Sequence, residues 1–207
     1  MSVLNQLANA LQIRSSEPNK VLAKKIAETN DTTAIKELAE NLTNKDKLIQ
    51  SDCIKTLYEA GELNPDLLKP YASLFVQLLD SKNNRMVWGA MTALSAAATQ
   101  CAPELYKAIA KIVAIADKGT VITKDHAVNI LVKLSAFKEY SADTIPLLLE
   151  QILTAPVNQM PTYTEKTATI IDAEHKAAFL NIITTRLPDI EGDAKRKRLE
   201  KVIKKLK

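Results

Sequence analysis

The chain has 207 residues, 46% hydrophobic and 25% charged, with a formal net charge of +4. That is enough apolar material for one ordinary domain or one short repeat array, and it excludes a globally disordered polypeptide. No apolar run reaches the roughly 18 residues of a membrane span, and Met1-Ser2-Val3-Leu4-Asn5-Gln6 lacks the pattern of a secretory leader, so a cytoplasmic location is expected.

Taken in chain order, helical spacing first appears over residues 1–14, at Val3, Leu4, Leu7, Ala8 and Leu11, and Ser15-Ser16-Glu17-Pro18-Asn19 breaks it. A short helix is expected over 20–28. The next begins at Asp31 or Thr32 and carries Ala34, Ile35, Leu38, Ala39 and Leu42 on one face. Asn44 is the expected cap of a helix with Leu48, Ile49, Cys53, Ile54 and Leu57, stopping at Gly61. Asn64-Pro65 starts another through Leu79, and a turn at 80–84 leads to a helix from about Arg85 to Ala98. Pro103 opens a helix that ends at Asp117-Lys118-Gly119. Thr123 and Ser141 are the expected caps of the two helices that follow. Residues 155–170, with Pro156, Pro161 and four threonines, read as an irregular insertion before helices at about 172–186 and 193–206.

Four of these helices superpose as blocks ending at Leu57, Leu94, Leu134 and Ile183, intervals of 37, 40 and 49 residues. The long interval is assigned to the 155–170 insertion. A period near 40 with two helices per unit is that of stacked helical repeats, in which each pair needs its neighbours to bury its core. The expected fold is all-α, a right-handed α–α superhelix in a single domain over 1–207. Its four helix pairs fall at about 31–61, 64–98, 103–138 and 142–187, with N-terminal helices over 1–28 and a capping helix over 193–206.

The units resemble HEAT repeats, most clearly from Pro65 to Leu94, where a first helix ends in Leu78-Leu79-Asp80 and a second reads Met86…Ala90-Met91-Thr92-Ala93-Leu94. The arginine usual just after the first apolar position of the second helix is absent; Gln50, Val87, Ala127 and Lys176 stand there. The resemblance covers roughly residues 31–187 and implies an interaction module. A few relatives bind DNA or repair alkylated bases, but the acidic and aromatic residues of that branch do not map onto this chain.

No nucleophile elbow, phosphate loop or zinc-hydrolase helix is present, so an enzyme is unsupported, and no cofactor or metal is expected. His126 and His175 fall at equivalent positions of adjacent units but lack a third ligand nearby. The expected partner is therefore another protein, held on the concave face lined by second helices. Trp88, the only tryptophan, is the leading candidate contact; it lies either exposed on that face or packed between pairs. Lys55, Arg85, Thr92, Asn129 and Lys133 are candidates for the same surface. Met160 and Tyr163 are candidates on the 155–170 loop, which is either a contact element or a passive excursion.

The alternative partner is nucleic acid. Residues 193–207 carry a net +6, leaving about −2 for residues 1–192. Lys195, Arg196, Lys197, Arg198, Lys201, Lys204 and Lys205 are the candidate phosphate contacts. Leu199, Val202, Ile203 and Leu206 form one apolar stripe on the same helix, so it reads equally as a terminal cap with its charges in water.

Overall fold

The computed structural model describes residues 2–207 and is 76% helical, with no strand among the described residues. It divides into two compact units, one ending at Lys118 and one spanning Gly119–Lys207.

The first unit opens on a 3-10 turn, Val3–Gln6, where the spacing predicts a longer helix. Helix α1 (Glu17–Thr29) starts on Pro18 in its first turn and ends on Asn30, whose left-handed φ of 51° suits a helix stop. Helix α2 (Thr32–Glu40) is capped by Asp31, which accepts from the Ala34 N–H. Helix α3 (Lys47–Leu63) is capped by Asp46 rather than the expected Asn44. Pro70 breaks the next expected helix into a 3-10 stretch, Pro65–Tyr71, and α4 (Ala72–Leu78). Helix α5 (Asn84–Ala96) is capped by Asn83. Helices α6 (Ala102–Lys107) and α7 (Ile109–Lys118) replace the single helix expected after Pro103.

Helix α3 is the centre of this unit and packs against both α1 and α5. The approach to α5 is close because Gly89 has no side chain: a Cβ there would lie 2.3 Å from Ile54 Cγ1. Seven residues further along both helices, a Cβ on Gly61 would lie 3.7 Å from the Ala96 Cβ. The two contacts advance together, so α3 and α5 run parallel. Cys53 and Cys101 are unpaired and fully buried in this core, and burial pushes their thiols up to about 12 and about 11, well away from the reactive thiolate.

The second unit comprises α8 (Val121–Ser135), α9 (Lys138–Leu153), α10 (Met160–Thr167), α11 (Lys176–Arg186) and α12 (Asp193–Leu206). Thr123 and Ser141 lie inside α8 and α9 and not at their caps. Helix α9 packs on α8, α10 and α11, while α10 packs on α8 and α12. Arg186 of α11 reaches the C-terminal end of α9, donating to the carbonyls of Leu153 and, at 3.0 Å, Ala155, which puts a cation on the negative end of that helix. Gly192, with φ of 87°, supplies a turn before α12 that a side chain would strain.

This arrangement corrects the expected fourth unit. The 155–170 segment is not an insertion but contains α10, the helix that follows α9 and packs against it. Met160, Tyr163, Thr164 and Thr167 recur at i, i+3, i+4 and i+7 and are all buried, with Met160 and Tyr163 at 0% and 1% exposure. Helix α12 in turn packs on α10 and α11 and buries Leu199 and Val202.

Candidate functional site

In the first unit, the parallel α3–α5 pair gathers three of the sequence-derived candidates. Where two parallel helices touch, the residue after the contact on one and the residue before it on the other project on the same side. With Ile54 against Gly89, those residues are Lys55 and Trp88. Trp88 is half-buried, so it is neither a core residue nor a fully exposed one. The Lys55 ammonium sits 4.7 Å from the centroid of the Tyr58 ring and also pairs with Glu59. Partial burial works against that charge, but the hydrogen bonds to Glu59 and Tyr58 outweigh it and hold the ammonium above its ordinary value. Thr92 is a correction: it is 9% exposed, its hydroxyl donating 2.9 Å to the Trp88 carbonyl, and that internal bond lets it sit in the packing instead of on the surface.

Arg85 opens α5 and lines a cavity of about 470 Å³ at the N-terminal edge of α1, α3 and α5. Arg14, Ser16, Leu48, Ser51 and Asp52 share its wall. Neither Arg14 nor Arg85 has a carboxylate within ion-pair distance among the described residues. Asp52 does not neutralise them by contact, because its carboxylate is already engaged. Oδ2 accepts from the Asn9 N–H at 2.8 Å and Oδ1 from Asn19 Nδ2 at 2.7 Å. Asn19 is fully buried and its Oδ1 accepts from the Ala8 N–H at 2.8 Å, so the segment before α1 is pinned to α3 through a satisfied polar network. The cavity thus presents two exposed guanidiniums on one wall, a setting suited to a carboxylate or phosphate oxygen. Arg14 was not singled out from sequence; only the chain's return past α3 brings it to the same cavity.

The second unit treats its candidates differently. Asn129, half-buried on α8, accepts from Lys166 Nζ of α10, and Asp125 accepts from the Tyr163 hydroxyl at 2.6 Å. Lys133 is half-buried on α8. Burial and the Asp125 hydrogen bond push the Tyr163 phenol well above its ordinary range, so it acts as a fixed donor. Met160 and Tyr163 are core residues, which removes them as surface contacts: they lie on the face of α10 that packs on its neighbours.

The basic residues of α12 fall into two groups. Arg198 donates to both oxygens of Glu165, at 2.8 and 2.6 Å, and to Thr162 at 3.1 Å. That hydrogen-bonded guanidinium holds the Glu165 carboxyl below its usual range. Lys195 donates to Asn158, and Arg196 to the Ile190 carbonyl at 3.0 Å. Lys197, Lys201, Lys204 and Lys205 stay exposed. His126 and His175 do not form a pair of equivalents. His126 is on α8, where burial lowers its pKa; His175 precedes α11 and shares its Nδ1 with Asp172 at 2.8 Å. Among the described residues, no group of three or more metal-ligating side chains occurs, and no helix is long and apolar enough to cross a membrane.

The fold defined by these helices is an armadillo/HEAT-like helical repeat. A designed armadillo repeat protein in complex with peptide (KR)4 superposes with a TM-score of 0.75 at 15% identity, covering 99% of this chain and 98% of that one. A second designed armadillo repeat protein gives a TM-score of 0.70 at 14% identity, covering 99% and 100%. A crystal structure described as an engineered protein gives 0.63 at 17% identity, covering 100% and 97%. No family model matches the sequence, and no curated protein matches it.

Proposed function

We propose that this chain is a non-catalytic binding module that takes a segment of another protein on the Lys55–Trp88 side of the α3–α5 pair, and that the segment carries an acidic group. The observation behind this reading is one surface that combines half-exposed Trp88, Lys55 stacked on Tyr58, and the cavity where Arg14 and Arg85 lack carboxylate partners. Tryptophan, tyrosine and arginine dominate interface hot spots because they bury large areas while offering directed hydrogen bonds. Guanidinium pairs select planar or tetrahedral oxyanions. A designed armadillo repeat protein of similar fold holds a basic peptide; the unpaired arginines here favour the opposite charge. A cytoplasmic setting belongs to the same reading.

The test is a titration of the full chain with a short polyglutamate peptide, a short polylysine peptide and duplex DNA, each over a salt series, followed by Trp88 emission. Polyglutamate is expected to bind and shift the emission, weakening as salt rises, while polylysine leaves it unchanged. A second reading, nucleic-acid binding, is favoured by the exposed Lys197, Lys201, Lys204 and Lys205 on α12. Duplex binding that leaves Trp88 silent and disappears when those lysines are reversed to glutamate, with no response to polyglutamate, would reverse the ranking.

A further inference from the structure

Helix α1 buries Leu22, Ala23 and Ile26, and its other face carries Glu17, Val21 and Lys25, each one turn after the last. Val21 is 62% exposed at the centre of that row. Beside it, the segment before α1 presents Leu11 and Ile13, at 48% and 46% exposure. Together with Pro18 these side chains line an apolar groove of about 500 Å³, bounded by Glu17 towards one end of α1 and Lys25 towards the other. Three large apolar side chains exposed in one place form a patch, unlike single exposed residues scattered over a surface.

The row is antisymmetric in charge about its centre, with an acid, an apolar residue and a base at equal steps. Turned antiparallel about Val21, it meets its own complement, Glu17 against Lys25 at both ends and Val21 against Val21 between them. That self-complementarity is what an isologous two-fold contact requires and what an unrelated partner does not. The charges are also available. Lys25 has no ion pair of its own among the described residues, and Glu17 makes only a loose 3.7 Å contact with Lys20 at the exposed surface.

We propose that this groove is the contact surface of a two-fold symmetric dimer of the chain. Val21 of each copy sits in the groove of the other, beside Leu11 and Ile13, and Glu17 of each copy pairs with Lys25 of the second. This proposal does not rest on the α3–α5 binding face, although Ile13 lines both this groove and the Arg14–Arg85 cavity.

Sedimentation equilibrium of the full chain over a concentration series tests it, with melting curves confirming that each variant stays folded. The wild type is expected to dimerise, and Val21→Glu to be monomeric at the same concentrations. Glu17→Lys alone and Lys25→Glu alone should each weaken dimerisation by about tenfold or more, because each places like charges together twice. Combining both changes in one chain should restore it, and so should mixing the two single variants, since every facing pair is then again opposite in sign. A wild type that is monomeric throughout, or a dimer indifferent to Val21→Glu, would overturn the proposal. Failure of both the double variant and the mixture to recover would overturn the antiparallel pairing on which it rests.

Discussion

Ile54 and Gly89 meet where α3 and α5 pack together, and a Cβ on Gly89 would fall 2.3 Å from Ile54 Cγ1 and 3.3 Å from its Cβ. The contact fixes how Lys55 and Trp88 are presented, because both flank it. Gly89→Ala should therefore lower stability despite the roughly 1 kcal/mol that alanine gains over glycine in a helix. Overpacking against a β-branched side chain costs about 1–3 kcal/mol, which outweighs that gain. Urea unfolding checks the sign. Adding Ile54→Ala should make Gly89→Ala less damaging than it is alone, since the new methyl then occupies vacated space.

The α10 segment should behave as core. Met160→Ala is expected to cost about 2–5 kcal/mol, in the range for truncating a fully buried side chain. Tyr163→Phe should cost about 1–3 kcal/mol by removing the donor from Asp125. Replacing residues 157–168 by a Gly-Ser linker is expected to abolish cooperative unfolding of the second unit, measured by circular dichroism on heating. A melting temperature moved by only a few degrees would mean the helix is dispensable.

How much of this was legible follows from what each signal depends on. The bounds of α12 were readable because Leu199, Val202, Ile203 and Leu206 repeat on one face and are apolar. Helix α10 has the same i, i+3, i+4, i+7 stripe, but two of its four positions are threonines, whose hydroxyls hide their burial from a hydropathy reading. Thr167 resolves its hydroxyl by donating 2.9 Å to the Tyr163 carbonyl one turn back. The two prolines, read as breakers, lie before the helix and in its first turn, where proline is tolerated. Losing α10 displaced the last unit's register and turned His126 and His175 into false equivalents. Trp88 and Arg85 were visible as residue types on a second helix. Arg14 was not, because its role depends on a long-range return of the chain that local periodicity does not encode.

Acid should weaken the Arg198–Glu165 contact between α12 and α10. The folded-state pKa of Glu165 is depressed by Arg198, so its contribution is present above the unfolded carboxylate value and is lost as pH falls through the folded value. Both side chains are 42% exposed, so the loss is modest, about 1 kcal/mol or less after solvent screening. Glu165→Gln should flatten that part of the pH–stability curve and reduce its sensitivity to salt.

His126 adds a second acid-sensitive element. Burial lowers its folded pKa beneath the ordinary 6.5, so the unfolded chain takes up the proton first. Its effect is absent above 6.5, and stability falls as pH drops below that value towards the lowered folded one. Thermal melts between neutral and mildly acidic pH should show wild type losing melting temperature faster than His126→Gln as pH falls.

In the proposed binding mode the α3–α5 face holds an acidic partner segment through Arg14, Arg85 and Trp88. Trp88 is the only tryptophan, so its emission reports on that face without a label. The most direct measurement is the polyglutamate isotherm for the wild type, Arg14→Ala and Arg85→Ala at one low salt concentration. Each arginine substitution is expected to weaken binding by about tenfold or more, as loss of a charge-assisted hydrogen bond does, with melting temperature unchanged because both side chains are exposed. Isotherms that overlay for all three proteins, or no response of Trp88 in the wild type, would contradict that binding mode.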